Sequence, residues 1–320
     1  MTPSLTSIAS FIISNKPLIQ PIQADQPIIQ GRIVAHLGKA LIVEDEHGHV
    51  SRCKKRTQLE QPAVGDYVEW IRTEAGAGRV EKVLERRSLL SRPAKNGSTR
   101  PVAANLDQLV VILAVKPNID ALLLDQYLIV SEFQDIKPLI VLNKIDLLDA
   151  KSRQETDQLV AIYKQLGYEI TEVSAKQQSG LDPLRDRLKN KISILVGQSG
   201  VGKSSIINAL LPDLELQTKT LSTASGLGKH TTTSSTLYKL PEGGDIIDSP
   251  GVNIFGLANI NERNLAYGFR EIRQLAEQCR FANCLHLKEP KCAVKAAVEN
   301  NEMSQQRYLR YLKLRDKLSG

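Results

Sequence analysis

From residue 30 onward the chain runs in short apolar and polar alternations. Residues 31–35, 40–44, 50–54, 66–72 and 78–84 are rich in Val, Ile and Leu, set against Arg, Lys and Glu on neighbouring positions. Gly38, His47-Gly48, the stretch 62–66 and Gly76-Ala77-Gly78 punctuate them. A period near two with Gly and Pro breaks predicts half-buried strands rather than helices. Five such runs in so short a span predict a small closed barrel, most simply the five-stranded oligonucleotide/oligosaccharide-binding (OB) type. An SH3-like barrel is the alternative. Residues 91–101 are rich in Lys, Arg, Ser and Gly and read as a linker.

Beyond the linker the rhythm changes. Apolar β runs at 109–115, 138–142, 168–173 and 192–196 alternate with stretches of helical spacing at 122–133, 154–166, 181–188 and 204–211. Strands apolar on both faces, separated by helices, imply a mostly parallel sheet covered on both sides. After residue 261 the pattern is helical, ending in a basic amphipathic helix at 302–318. Residues 1–29 mix Pro, Gln and Ser with isolated apolar residues and read as a poorly ordered leader. The expected organisation is multidomain α/β: leader 1–29, barrel 30–92, nucleotide-binding core 93–260 and helical metal-binding domain 261–320.

Charge refines this picture. The net charge is +7, yet residues 31–100 hold 14 Lys/Arg against 9 Asp/Glu, and residues 276–320 hold 9 against 5. The excess therefore sits on the flanks, as expected of segments that carry the centre to a polyanion. In the barrel only Tyr67 and Trp70 are aromatic, so Arg52, Lys54, Lys55, Arg56, Arg86, Arg87, Arg92, Lys95 and Arg100 favour phosphate contacts over base stacking. No run reaches the length of a membrane helix, so a cytoplasmic protein without a membrane partner is expected.

The chemistry lies in five short motifs. Gly197-Gln198-Ser199-Gly200-Val201-Gly202-Lys203-Ser204 fits G-x-x-x-x-G-K-[ST] between a strand and a helix. Its glycines let backbone amides approach phosphate oxygens, Lys203 should reach the β and γ phosphates, the Ser204 hydroxyl should bind Mg²⁺, and the amides of Ser204 and Ser205 add a helix N-terminus. Asp248-Ser249-Pro250-Gly251 follows a short apolar run; Asp248 suits the Mg²⁺ shell and the Gly251 amide the γ-phosphate. Asn143-Lys144-Ile145-Asp146 ends a strand, where Asp146 can accept from the guanine N1 and N2 donors that adenine lacks. Ser174-Ala175-Lys176 supplies the companion loop, its Ala175 amide meeting guanine O6. In the Gly/Thr-rich stretch Gly228-Lys229-His230-Thr231-Thr232-Thr233, either Thr231 or Thr232 should complete the Mg²⁺ shell. Val252 stands where many GTPases carry a water-orienting Gln, leaving His230 as the candidate for that role, or else as a surface residue of the loop. The base-reading motif precedes the phosphate loop, which makes the core a circularly permuted GTPase.

Cys279, Cys284, His286 and Cys292 offer three thiolates and an imidazole within fourteen residues, a tetrahedral Zn²⁺ set suited to a structural site, with buried reduced thiols as the alternative. Cys53 reads as an ordinary strand residue.

The order N-K-I-D, S-A-K, G-Q-S-G-V-G-K-S, G-K-H-T-T-T, D-S-P-G and Cys-x4-Cys-x-His-x5-Cys resembles the RsgA (YjeQ) family of ribosome-biogenesis GTPases over residues 30–320. Ala103-Ala104-Asn105-Leu106-Asp107-Gln108 is also family-like. Lys288 and Lys291 depart from the family's usual residues near the last cysteine, and the leader has no counterpart role. The resemblance implies an OB barrel, a permuted GTPase core and a zinc domain with one structural Zn²⁺, and Mg²⁺ with GTP. It also implies a factor acting as a monomer late in maturation of the 30S subunit, touching its rRNA, with subunit-stimulated hydrolysis of GTP to GDP, release after hydrolysis, and His230 in the position of a proposed catalytic group.

Overall fold

The computed structural model describes residues 27–38, 40–73, 77–93, 98–225, 235–249 and 260–319. Strands β1 (Ile29–Leu37), β2 (Ala40–Asp45), β3 (Val50–Lys55), β4 (Tyr67–Arg72) and β5 (Ala77–Val83) form the first unit. They close in the order β1-β2-β3-β5-β4-β1, antiparallel except for the parallel β3–β5 pair. That ring, with β1 pairing on both sides, is the OB arrangement rather than the SH3-like one. Trp70 fills its centre at 0% exposure, so of the two barrel aromatics only Tyr67 faces outward. Gly78 is dictated by this packing: a Cβ there would stand 2.6 Å from Cys53 Sγ and 2.7 Å from the Trp70 ring. Cys53 is an inert core thiol, its pKa pushed up to about 12 by burial.

The segment expected as a linker is instead a two-stranded antiparallel ribbon, β6 (Leu89–Pro93) with β7 (Thr99–Ala104). Only its base is buried, through Leu90, Val102, Ala103 and Ala104, so the polar remainder carried no alternation to reveal it. Asn105, in the left-handed region at φ 58°, fastens the barrel here: its Nδ2 donates to Gly65 O (3.0 Å) and its Oδ1 accepts from Arg87 N (2.9 Å). Arg86 and Arg87 are likewise committed internally. Arg86 holds Asp66 through Nε and Nη2 at 2.7 and 2.8 Å, and Arg87 reaches Asp107 at 2.8 Å. Arg52, Lys54, Lys55 and Arg56 on and after β3 remain exposed.

The core continues as β8 (Gln108–Ala114), α1 (Ala121–Phe133), β9 (Lys137–Asn143), a 3-10 turn (Ile145–Leu147), α2 (Ala150–Gln165), β10 (Glu169–Glu172), α3 (Leu181–Leu188), β11 (Ile192–Val196), α4 (Lys203–Leu210), α5 (Leu214–Ser225), β12 (Ser235–Lys239) and β13 (Asp245–Asp248). Its strands lie in the order β10-β9-β8-β11-β13-β12; the first five are parallel and β12 runs against β13. Every residue of β8 and β11 is buried, as a two-sided parallel sheet requires. The other edge of β12 pairs with β1, Ala35 opposite Thr236 and His36 opposite Ser235, so one sheet runs from the core into the barrel. Arg32 to Asp245 (2.6 Å) and Lys239 to Glu44 (2.7 Å) reinforce the seam. Helix α5, absent from the sequence expectation, lies against β2 and β3, and the Gln217 amide exchanges two hydrogen bonds of 3.1 Å with the Lys239 backbone.

Among the described residues the helices α6 (Glu262–Tyr267), α7 (Arg270–Ala276), α8 (Ala293–Glu299) and α9 (Gln305–Ser319) follow. The last begins later than its spacing suggested, because Asn301 takes φ 61° and Met303 turns into the core. It docks on α1 through buried charge. Arg307, 1% exposed, pairs with Asp125 at 2.6 Å and with Glu271, and its guanidinium lies 5.0 Å from the ring centres of both Tyr163 and Phe269. Burial opposes the charge on Arg307, but Asp125 and Glu271 outweigh it and raise its pKa. Arg307→Ala leaves the buried Glu271 carboxylate without its cation and Asp125 with Arg310 alone, and is expected to cost about 3–5 kcal/mol of stability. Chemical denaturation monitored by tryptophan-independent far-UV signal checks this, and a wild-type midpoint would refute it.

Candidate nucleotide site and metal cluster

The parallel strands all finish at one edge, and the motifs begin where they stop. β11 delivers the chain to Gly197, which takes φ 146° and whose missing side chain leaves room for the Ile112 carbonyl of β8. Gly202 takes φ 94° immediately before α4, in the space that a Cβ would contest with Asn143 Nδ2. Lys203 Nζ folds back onto the loop it serves, donating to Gly197 O (2.7 Å) and Gln198 O (2.9 Å). Ser204 and Ser205 are exposed on the first turn of α4, with Ser199 and Gly200 exposed on the loop. Burial lowers the pKa of Lys203 against the opposing pull of Asp248, and burial raises that of Asp248 against the pull of Lys203. This cation and carboxylate, one at the mouth of α4 and one at the end of β13, sense each other's charge across the edge where the phosphate loop lies.

Asn143, at 1% exposure, braces three segments at once. Its Nδ2 donates to Val201 O (2.9 Å), and its Oδ1 accepts from the Ala175 amide (3.2 Å). Lys144, at φ 62°, sends its ammonium to Gly200 O (2.6 Å) and Lys116 O (2.7 Å), arching over the phosphate loop. The Ser174 hydroxyl donates to Asp146 Oδ1 at 2.5 Å and accepts from Gln177 N at 3.2 Å, which fixes the carboxylate's orientation. Lys176 is exposed beside them. Asn143, Lys144, Asp146, Ser174 and Ala175 are thus brought together with the phosphate loop. Ser249 meets Ser235 across β13 and β12, Oγ to Oγ 2.6 Å. His230, Thr231, Thr232 and Gly251 lie outside the described residues.

One residue behind the loop had no sequence signal. Tyr127 on α1, 1% exposed and with its pKa pushed up to about 12 by burial, lines a small cavity behind the phosphate loop with Gly197, Gln198 and Val201. Tyr127 falls among the apolar residues of its helix, and nothing in that spacing distinguishes it from core.

Away from this site, Cys279, Cys284, His286 and Cys292 bring their ligand atoms within 4.8 Å of one another. Cys279 Sγ and Cys292 Sγ are 4.0 Å apart, and they stand 3.6 and 3.5 Å from His286 Nδ1. Tetrahedral coordination at ordinary metal–sulfur and metal–nitrogen lengths spaces its ligands by roughly 3.5–3.8 Å, so the donor set fits a metal ion. Its loop is held from within and from α9: the Glu289 carboxylate accepts from the amides of Leu285 (2.8 Å) and Leu287 (2.6 Å), while Tyr311 and Tyr308 on α9 donate to Leu285 O (2.8 Å) and His286 O (2.6 Å). Without an ion, burial pushes the Cys284 thiol up to about 12. A bound cation inverts that preference and stabilises the thiolate.

The geometry agrees with independent comparisons. A family model described as RsgA GTPase matches residues 83–258. The small ribosomal subunit biogenesis GTPase RsgA of Pseudomonas aeruginosa (strain LESB58) is 44% identical over 281 residues, 88% of this chain and 83% of that protein. The protein of the same name from Photorhabdus laumondii is 40% identical over 312 residues, 95% of this chain and 89% of its own. Among solved structures, YjeQ from Thermotoga maritima superposes with a TM-score of 0.75 at 35% identity, covering 92% of this chain and 99% of its own. YloQ, a circularly permuted GTPase, gives 0.70 at 32%, covering 92% and 96%. With the nucleotide motifs converging on one sheet edge and relatives matching nearly the whole chain, this GTP-hydrolysing enzyme belongs to the RsgA GTPase family.

Proposed function

We propose that the enzyme binds the 30S ribosomal subunit and assists its late maturation, holding the subunit in the GTP state and leaving it after hydrolysis to GDP. The observation that carries this reading is the pairing of a guanine-nucleotide site with an exposed basic strand, Arg52, Lys54, Lys55 and Arg56, on the same continuous sheet. Exposed cations without an outward Trp suit rRNA phosphates and shape. In this reading residues 30–92 grip RNA, 93–260 hydrolyse GTP, and 261–320 form a metal-stapled domain, in a monomeric cytoplasmic protein with no membrane partner. Among the described residues no helix is long and apolar enough to cross a membrane.

The roles follow from position. Asp146 reads the guanine edge, with Lys144, Ala175 and Lys176 around the base. The loop Gly197 to Ser205 cradles the phosphates, and Lys203 swings from its two carbonyls to the β and γ oxygens. Ser204, Asp248 and one of Thr231 and Thr232 would hold Mg²⁺, which neutralises charge developing on the phosphates. Gly251 senses the γ-phosphate, and His230 orients the attacking water in place of the missing Gln. The Cys279, Cys284, His286 and Cys292 cluster holds one structural Zn²⁺.

Phosphate release should be slow for the enzyme alone and rise when 30S subunits are added, and His230→Ala should lower the stimulated rate by about a hundredfold while GTP still binds. Equal rates with and without subunits would overturn the subunit assignment. Asp146→Asn should weaken GTP binding by at least about a hundredfold and favour xanthine nucleotides, because a buried polar group is left mispaired; competition against a fluorescent nucleotide measures it. Elemental analysis of fresh protein should find about one zinc per chain, lost in Cys292→Ser together with a lower melting temperature. Zinc-free protein with wild-type stability would count against the site.

A further inference from the structure

Where β13 ends, the sheet no longer supports it from its centre. The ladder with β11 accompanies β13 only from Asp245 to Ile247, opposite Ile192 to Ile194. Asp248, the next residue, is paired in the ladder on the β12 side, opposite Thr236, and Thr236 is in turn opposite Ala35 of β1. The row Ala35, Thr236, Asp248 therefore runs straight from the barrel to the carboxylate. One rung further on, β1 still accompanies β12, with His36 opposite Ser235, but β13 has finished. In place of a backbone rung the Ser235 and Ser249 hydroxyls meet, Oγ to Oγ 2.6 Å.

The anchor of that clasp is firm. At the other end of β12 the Lys239 backbone exchanges two 3.1 Å hydrogen bonds with the Gln217 amide, and the Lys239 ammonium reaches Glu44 at 2.7 Å. Ser249 is 7% exposed, so a partner lost there is not replaced by bulk water. Pro250 follows and has no N–H, so the next residue offers no backbone donor in its stead. Alternation along β12 turns Ser235 to the face opposite Thr236, while pairing gives Asp248 the face of Thr236. The hydroxyl pair thus lies across the sheet from the carboxylate and acts on it through the backbone, without touching what it binds. A ladder opens first at its ends, and a ligating group that must be ordered on binding loses affinity compared with one already held in place.

We propose that Ser249 and Ser235 are positioning residues for GTP hydrolysis: their hydroxyl pair stands in for the missing rung and holds Asp248 in place for the Mg²⁺-bound nucleotide, anchored on the strand that the barrel supports. The inference rests on the assignment of Asp248 to the Mg²⁺ shell and not on the identity of the ribosomal partner.

The test uses the full chain and a fluorescent, non-hydrolysable GTP analogue, with Mg²⁺ titrated at fixed nucleotide. Ser249→Ala and Ser235→Ala should each raise the half-saturating Mg²⁺ concentration by about fivefold, with the melting temperature and the Mg²⁺-free affinity for the analogue little changed. The double variant should be no worse than either single one, because one hydrogen bond cannot be lost twice. A half-saturating concentration within twofold of wild type in Ser249→Ala, or single effects that multiply in the double variant, would overturn the proposal. A lower melting temperature with the Mg²⁺ dependence intact would likewise make the pair merely structural. Asp248→Ala separates this inference from the assignment beneath it, and should shift the Mg²⁺ dependence well beyond either serine variant. If it does so while Ser249→Ala shifts nothing, the clasp is refuted and the Mg²⁺ assignment stands; if Asp248→Ala leaves the dependence intact, the assignment fails and the proposal with it.

Discussion

The parallel ladder joining β8 to β11 is the constraint on which the rest depends. Leu109 lies opposite Ile194 and Val111 opposite Val196, so two segments more than eighty positions apart in sequence end side by side. β9 finishes one strand further along, on the other side of β8. Because chain order is irrelevant to where a parallel strand ends, the base-reading motif can precede the phosphate loop and still face it. Asn143 makes the arrangement specific: the two ends of one amide bond the phosphate loop at Val201 and the companion loop at Ala175.

Much of this was legible before any coordinates. The motifs are local and each needs only a strand end to acquire its place, so the gathering of Asn143, Asp146, Ser174 and Lys203 at one sheet edge could be read from spacing alone. The barrel strands were legible because their alternation is the burial pattern itself, as in β5, where Gly78 and Val80 turn inward on either side of exposed Arg79. The ribbon of β6 and β7 was not, since its burial is confined to its base. Helix α5 was missed because it rests on a neighbouring unit rather than on a core of its own. The barrel's basic residues could be counted but not sorted: whether an arginine meets solvent or a buried carboxylate is a tertiary fact, and Arg86 against Asp66 could not be told from Arg52 by sequence.

The C-terminal helices are attached by charge as well as by packing. Arg307 and Arg310 reach across more than 180 positions to Asp125, and Arg270 and Arg273 share Glu132 at 2.6 and 3.2 Å. Such contacts are directional, whereas apolar surfaces tolerate sliding. The cysteine–histidine cluster lies behind the same helix, its loop tied to Tyr308 and Tyr311, so cluster, helix and α1 occupy one mechanically continuous block.

The pairing of β1 with β12 has a different kind of consequence. A strand at the margin of a sheet presents unmet amides and carbonyls that recruit other chains, and proteins normally blunt such margins. Here the barrel blunts the margin of the core, and Gln217 occupies the part that β1 does not reach. Neither unit is a free-standing module in the evolutionary sense. A lineage that discarded the barrel would uncover a sticky border on its own sheet, which ties the inheritance of the barrel to that of the nucleotide-hydrolysing core.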